Sequence, residues 1–297
     1  MSERDHVPLN VSLATWVEEA RADPVKLRTR QVTEILLHAI GLSPMLRASL
    51  VLKGGTLMSS IYGSPRTTSD VDFSSFSEPG ELPDHLTDEL DKALRRAAAE
   101  LGYVDLICKV QSVKYQPRQE GFEGFTAPAL QVKIGSAQRG SGEEARLRRN
   151  SAPQALAIDI SFKEPLFDTQ EVHLKDLSVS VQVYSPAEVI AEKLRALLQQ
   201  PLRNRSRRQD VYDIAFLLGQ IDADGDFRSK VLALLIEKCR ARDFEAAPEL
   251  IDDPAVAERA KREWSTLADE LPKGELPPFE ERFSIVREFY WALPWGD

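Results

Sequence analysis

Cysteine is nearly missing from this chain: two residues in 297, Cys108 and Cys239, far apart. That excludes a disulfide framework and a cysteine-rich zinc site. Histidine is almost as scarce. His6, His38, His85 and His173 lack metal-ligand spacing, and each is expected to be structural. No run of 18 or more apolar residues occurs, so no membrane span is expected. The start, Met1-Ser-Glu-Arg-Asp-His6, lacks the charged-then-apolar pattern of a secretory signal, which makes the cytoplasm the expected compartment. Also missing are the Gly-X-X-X-X-Gly-Lys-Ser/Thr loop of Walker-type ATPases and the Gly-X-Ser-X-Gly elbow of hydrolases. A formal charge of −9 argues against a protein that coats nucleic acid through overall charge, but leaves room for local basic surfaces. Two Arg-dense stretches, Arg139 to Arg149 and Arg203-Asn-Arg-Ser-Arg-Arg208, fit such surfaces and equally fit solvated loops.

What is present is an ordinary globular composition, 42% hydrophobic and 29% charged, in a chain long enough for two domains. Apolar residues at helical spacing predict helices over 11–21 and 26–40. Ser49 to Leu52 reads as a strand stopped by Lys53-Gly54-Gly55, and Thr56 to Tyr62 as a helix ended by Gly63 and Pro65. Ser69 to Phe73 alternates, with Asp70 and Asp72 on one face of a strand and Val71 and Phe73 on the other. A helix over 84–101 precedes β-rich stretches at 103–115, 122–134 and 155–162, with a Gly/Ser/Arg-rich loop at 135–150. Further strands are predicted at 172–177 and 179–183. From Ser185, a good N-cap followed by Pro186, the chain reads as helices over 186–199, 209–219, 226–240, 254–270 and 279–292. A domain boundary is therefore expected near 184, dividing the chain into 1–184 and 185–297.

The chemistry is carried by an ordered set of motifs. Phosphoryl transfer needs the charge of a nucleoside triphosphate neutralised and an acceptor oxygen held in line. Hard divalent cations do the first job and prefer carboxylate oxygens, which a strand Asp70-X-Asp72 presents side by side. Gly54 and Gly55 allow close backbone approach at a helix start, where N–H groups suit phosphate. Asp159, inside the apolar run Leu156 to Phe162, is the natural third ligand, since an unpaired carboxylate there would be costly. Singly, each feature is common in structural roles; the order of glycine turn, short helix, Asp-X-Asp strand and later strand Asp favours catalysis. In the helical part, Lys193 lies in the apolar row of Val189 and Leu197, so it either snorkels outward or meets phosphate in a cleft. Asp210 and Asp213 share a helix face with Ile214 and Leu217. A salt bridge from either to Lys193 or to an arginine of 203–208 is the simplest structural explanation.

Lys53-Gly-Gly-Thr-Leu, Ser69-Asp-Val-Asp-Phe, Ser185-Pro-Ala-Glu-Val-Ile-Ala-Glu-Lys-Leu-Arg-Ala-Leu and Arg208-Gln-Asp-Val-Tyr-Asp-Ile together resemble the AbiEii/AbiGii toxin family. These are nucleotidyltransferase toxins of AbiE-type and MenAT-type toxin–antitoxin and phage-defence systems. The resemblance runs from about residue 50 to 218. It implies an α/β (α+β) polymerase-β-like nucleotidyltransferase core with a mixed sheet, followed by an all-helical C-terminal domain. It further implies transfer of a nucleoside monophosphate from a nucleoside triphosphate, with Mg²⁺ or Mn²⁺, to an RNA acceptor such as the tRNA 3′ end, and a cognate antitoxin partner. By motif match, Asp70 and Asp72 would bind metal. Gly54, Gly55 and Thr56 would hold phosphate, Lys193 would contact the triphosphate, and Asp210 or Asp213 would be an essential acid. Two positions depart from the family pattern: Gln209 stands where a basic residue is usual, and Thr56 where the wider superfamily has serine. Arg66 is the nearest cation upstream of Asp70 and is expected to contact phosphate. Two alternatives stay open: a nucleotidyltransferase acting on a small molecule or protein side chain, and a catalytically silent binding protein of the same fold.

Overall fold

A computed structural model describes residues 9–80, 83–118 and 121–296; the expectations for His6 and the N-terminal segment lie outside them. The chain forms two compact units. The first comprises Met1–Ile61, Thr68–Glu164 and Gln170–Val183, the second Tyr62–Thr67, Pro165–Thr169 and Tyr184–Asp297. Two short segments upstream of 184 thus belong with the helical part, and specific bonds hold them there. The Tyr62 hydroxyl donates to the Tyr184 carbonyl at 2.6 Å, and the Pro165 carbonyl accepts from Lys238 Nζ at 3.2 Å.

The first unit is built on eight strands: β1 (Leu9–Val11), β2 (Leu50–Lys53), β3 (Asp70–Ser75), β4 (Leu106–Gln116), β5 (Ala129–Gln138), β6 (Ala155–Ser161), β7 (Thr169–Leu174) and β8 (Val179–Tyr184). They make one mixed sheet in the order β1-β7-β8-β2-β3-β6-β5-β4. β3 runs antiparallel to β2 and parallel to β6, while β6, β5 and β4 pair antiparallel in turn. Its helices are α1 (Leu13–Glu18), α2 (Pro24–Leu42), α3 (Pro44–Ser49), α4 (Gly54–Ser60), α5 (Pro83–Glu100) and α6 (Gly142–Arg148). The core lies where α2 and α5 pack together, with α5 on β4 and α2 on β6. Alternation drives this: Val71 and Phe73 of β3 are buried, as are Leu130, Val132 and Ile134 of β5 and Ile158 and Ile160 of β6. α2 buries Val32, Ile35, Leu36, Leu37 and Ile40 around much of its circumference.

Among its described residues after 184, the second unit is helical: α7 (Pro186–Leu198), α8 (Gln200–Arg203), α9 (Arg208–Leu218), α10 (Gly225–Arg240), α11 (Pro254–Lys261) and α12 (Phe279–Trp291), with short 3-10 turns. α7 packs on α9 and α10, and α9 packs on α12. Ser185 caps α7, its hydroxyl accepting from Glu188 N, with Pro186 at the first helical position. No helix among the described residues is long and apolar enough to cross a membrane.

Several elements differ from the sequence expectation for identifiable reasons. The first predicted helix is shortened because residues 9–11 pair with β7, and the Asp176 carboxylate binds the Ser12 hydroxyl and Leu13 N where α1 begins. β5 starts only at Ala129; residues 122–124 form a 3-10 turn. The expected loop at 135–150 instead carries the end of β5 and then α6. Glu143 and Glu144 in the first turn of α6, Arg146 and Arg148 in its last, and an i,i+4 pair between Glu144 and Arg148 all favour the helix. The predicted helix over 254–270 breaks at Glu263, which adopts a left-handed conformation with φ 61°. Cys108 and Cys239 are both buried and free. His38 is buried with Nδ1 on the Glu34 carbonyl at 2.9 Å, His85 is exposed and His173 half-buried.

Phe73, next to Asp72 in β3, is 1% exposed, so Phe73→Ala is expected to cost about 3–5 kcal/mol. Phe76→Ala, at a side chain 55% exposed, should change stability by no more than about 0.5 kcal/mol. Urea unfolding of both variants beside wild type checks the contrast.

Candidate active site

In the first unit, strand register sets the geometry. β3 and β6 lie parallel with Asp72 directly beside Asp159, and Asp70 beside Ala157. The two-residue repeat puts Asp70 on the same face as Asp72. One carboxylate oxygen from each of Asp70, Asp72 and Asp159 lies within 4.8 Å of the others, and all three residues are half-buried. Three oxygen donors, with neither histidine nor cysteine among them, fit a hard divalent cation rather than zinc. The Asp159 carboxylate has no hydrogen bond or ion pair to a protein group among the described residues, so its lone pairs are available to a ligand.

The glycine turn is pressed against this trio. Gly54 has φ +71°, and a Cβ built there would sit 2.1 Å from Asp72 Oδ2. A Cβ at Gly55 would meet Thr68 at 3.0 Å. Backbone conformation and space therefore both require Gly54. Thr56 is buried, and its hydroxyl donates to the Asp70 carbonyl at 2.7 Å, tying α4 to the carboxylate strand. The Thr68 hydroxyl donates to Asp70 Oδ1 at 2.6 Å. Lys53, opposite Asp72, is engaged by Ser161 and by the Glu164 carboxylate, which also accepts from Ser74 at 2.7 Å.

The second unit holds a separate cluster. Asp213 is fully buried on α9 and takes a bidentate bond from Arg66, with Nε to Oδ1 at 3.0 Å and Nη2 to Oδ2 at 2.8 Å. Lys193 Nζ lies 2.8 Å from both Asp213 Oδ2 and Asp210 Oδ1. Arg66 Nη1 donates to Glu270 at 2.8 Å, and Arg208 reaches the same carboxylate at 3.2 Å. Burial works to raise the Asp213 pKa, but the charges of Lys193 and Arg66 override it and hold this carboxyl below its ordinary value. Burial likewise opposes the charged form of Lys193, and Asp210 and Asp213 outweigh it, so its pKa is raised.

A profile of the family described as nucleotidyl transferase AbiEii toxin, type IV toxin–antitoxin system, matches residues 40–293. The chain belongs to this family. It is a nucleotidyltransferase toxin, and membership implies a nucleotide substrate and an antitoxin partner. Two solved structures share the fold. MenT4, the nucleotidyltransferase toxin Rv2826c from Mycobacterium tuberculosis H37Rv, is 15% identical, with a TM-score of 0.51 over 95% of this chain and 89% of its own. JHP933 from Helicobacter pylori is 12% identical, with a TM-score of 0.51 over 90% of each chain. No curated protein matches the sequence.

For this AbiEii-family enzyme, the first unit brings Asp70, Asp72, Asp159, Gly54 and Gly55 together. The second brings together Lys193, Asp210, Asp213 and Arg66. The cation at Lys193 does not snorkel; it is neutralised in place. Arg66 commits three N–H donors to Asp213 and Glu270. Sequence reasoning missed Glu270, whose carbonyl also accepts from Thr67 N at 2.7 Å. No local spacing pointed to it. Thr68 as the partner of Asp70 had a weak signal, a hydroxyl two residues upstream of a carboxylate.

Gly54→Ala is expected to reduce nucleotide transfer strongly, because the methyl displaces Asp72. Gly63→Ala, at φ +74° with no atom within 4 Å of the new Cβ, should cost stability but not transfer. Pyrophosphate release and thermal melting of both variants separate the effects. Asp213→Ala removes the fully buried counter-charge that Arg66 and Lys193 share and should cost about 3–5 kcal/mol. Since the folded pKa of Asp213 is depressed, this contribution is complete at neutral pH. It is lost only as pH falls below the usual carboxylate range, which urea titrations across pH would trace.

Proposed function

We propose that the protein transfers a nucleoside monophosphate from a nucleoside triphosphate to the 3′ end of RNA, tRNA being the expected acceptor, in the cytoplasm. The observation that carries this reading is the carboxylate trio on adjacent parallel strands, pressed against a glycine turn. Asp70, Asp72 and Asp159 would hold a divalent cation, Mg²⁺ or Mn²⁺. When bound, such a cation neutralises triphosphate charge and lowers the pKa of an acceptor hydroxyl. The RNA acceptor rests on the motif resemblance, and it suits a family whose members act as toxins in type IV systems.

The roles of the chain's own residues follow from their surroundings. Gly54 and Gly55 let the triphosphate approach the backbone closely. Thr56 and Thr68 hold the Asp70 segment, so the carboxylates keep their places while charge moves. The acceptor hydroxyl oxygen forms a bond to the α-phosphorus and gives its proton to water. The bond to the β-phosphate oxygen breaks, and pyrophosphate leaves with the electron pair. Lys193 is assigned by motif as the cation for the triphosphate, and Asp210 and Asp213 keep it charged and oriented. Arg66 is retained as a phosphate contact only in so far as a substrate displaces Glu270 from it. An antitoxin would relieve the activity by binding or by modifying a hydroxyl among Thr67, Thr68 and Ser69.

Purified protein incubated with labelled nucleoside triphosphates and either total RNA or protein extract is expected to label RNA, and chelation of divalent cations to stop it. Asp70→Ala should retain its melting temperature and lose transfer by about a thousandfold, since charge stabilisation of several kcal/mol disappears. Undiminished transfer in that variant sinks the reading. Label entering protein instead of RNA replaces it with protein modification.

A further inference from the structure

The sheet face that carries the trio continues beyond it. Register gives two rows running straight across the strands. One is Lys53, Asp72, Asp159, Gln131 and Lys114; the next is Asp70, Ala157, Lys133 and Ser112. Residues opposite one another on paired strands share a face. Gln131, Lys133 and Lys114 therefore look out on the side of Asp159, and all three are exposed although β5 is an interior strand. The alternate residues Leu130, Val132 and Ile134 are buried, so the alternation over residues 130–134 of β5 is clean. Gln116 Nε2 donates to Gln131 Oε1 at 2.9 Å, which joins β4 and β5 on this same face.

Two features set the lysines apart from ordinary surface charge. In its row, Ala157 presents only a methyl between Asp70 and Lys133, leaving the ground between them open. Neither the Lys133 nor the Lys114 side chain has an ion pair or hydrogen bond among the described residues. At about 4.8 Å per strand, each lies roughly 10 Å from a carboxylate of the trio, measured across the sheet. In a chain of net charge −9, that is a local reversal of sign beside the site.

Position then decides what they are for. The Gly54–Gly55 turn follows β2, on one flank of β3, whereas β5 and β4 lie on the other flank beyond β6. In-line transfer puts the attacking oxygen and the leaving pyrophosphate on opposite sides of the α-phosphorus. With the triphosphate over the glycine turn, the attacking hydroxyl comes in over β6, and the molecule that bears it lies over β5 and β4. We infer that Lys133 and Lys114, with Gln131 and Gln116 beside them, form a shelf for the single-stranded 3′ end of the acceptor RNA. The lysines meet its phosphates and the amides its sugars and bases. This rests on the RNA-transfer reading above, and it assigns positioning residues for the acceptor that the motifs do not mark.

The test is steady-state transfer to total tRNA by wild type, the Lys133→Gln/Lys114→Gln double variant and the matching Lys→Arg double variant, each at several salt concentrations. The glutamine variant should raise the KM for RNA at least about tenfold and reduce the salt slope by about 0.7 for each lysine removed. The KM for nucleoside triphosphate should hold, and the arginine variant should restore the KM for RNA. Equal melting temperatures confirm that all three proteins are folded. If wild type labels RNA and the glutamine variant keeps its RNA KM and salt slope, the shelf is wrong while the transfer reading stands. A rise confined to the triphosphate KM also overturns it, by placing the lysines on the other substrate. If wild type labels no RNA at all, the function reading fails first and the shelf with it.

Discussion

Three carboxylates held within 4.8 Å repel one another, and everything else in the first unit is arranged so that they stay there. At an effective dielectric of about 20 and such a separation the repulsion is on the order of 3 kcal/mol per pair. The sheet supplies the restraint. Asp72 and Asp159 are locked side by side in a parallel ladder, and hydrophobic neighbours on the reverse face, Val71, Phe73, Ile158 and Ile160, fix which way each strand faces. A slip of one residue would bury the acids and expose the core. Thr56, Thr68 and the glycine turn add local ties on the open side. An electrostatically unfavourable constellation survives because apolar burial elsewhere pins its register, and it leaves a strong local demand for positive charge.

The second unit answers a similar problem differently. Arg66, Lys193 and Arg208 face Asp210, Asp213 and Glu270, three charges of each sign, with Asp213 at the fully buried centre. Such groups are costly to bury singly and tolerable as a hydrogen-bonded network. The bidentate Arg66–Asp213 pair gives the network a defined geometry that a lysine in place of Arg66 could not reproduce. It also explains why the short segment 62–67 folds with helices that follow it by more than a hundred residues.

Much of this was legible before any coordinates. Alternation in Ser69 to Phe73 put two acids on one face, and the apolar setting of Asp159 marked it as the third. The Ser185-Pro186 cap located the start of the helical run, since its chemistry is local and strong. What escaped notice depends on distance along the chain. Glu270 joins the Arg66 cluster from just after a 3-10 turn far downstream, and Asp176 caps α1 from more than 160 residues away. The stretch at 135–150 misled because glycine and serine suggest a loop, while the charges at the two ends of α6 and the Glu144–Arg148 pair favour a helix that binary hydrophobic patterning does not register. The resemblance to AbiEii-type toxins rested on motifs; the sheet order that ranks β5 and β4 beyond the third carboxylate was not readable from them.

The parallel pairing of β3 with β6 has a consequence for how the protein comes into being. Parallel neighbours cannot be joined by a tight hairpin, and here the connection from β3 must first traverse α5, β4 and β5 before β6 can slot in between β3 and β5. Contacts of such long sequence separation form late and slowly. During synthesis, a ribosome-bound fragment ending before Ala155 carries Asp70 and Asp72 but lacks their companion. The carboxylate trio is thus assembled only when β6 closes the sheet and sets Asp159 beside Asp72.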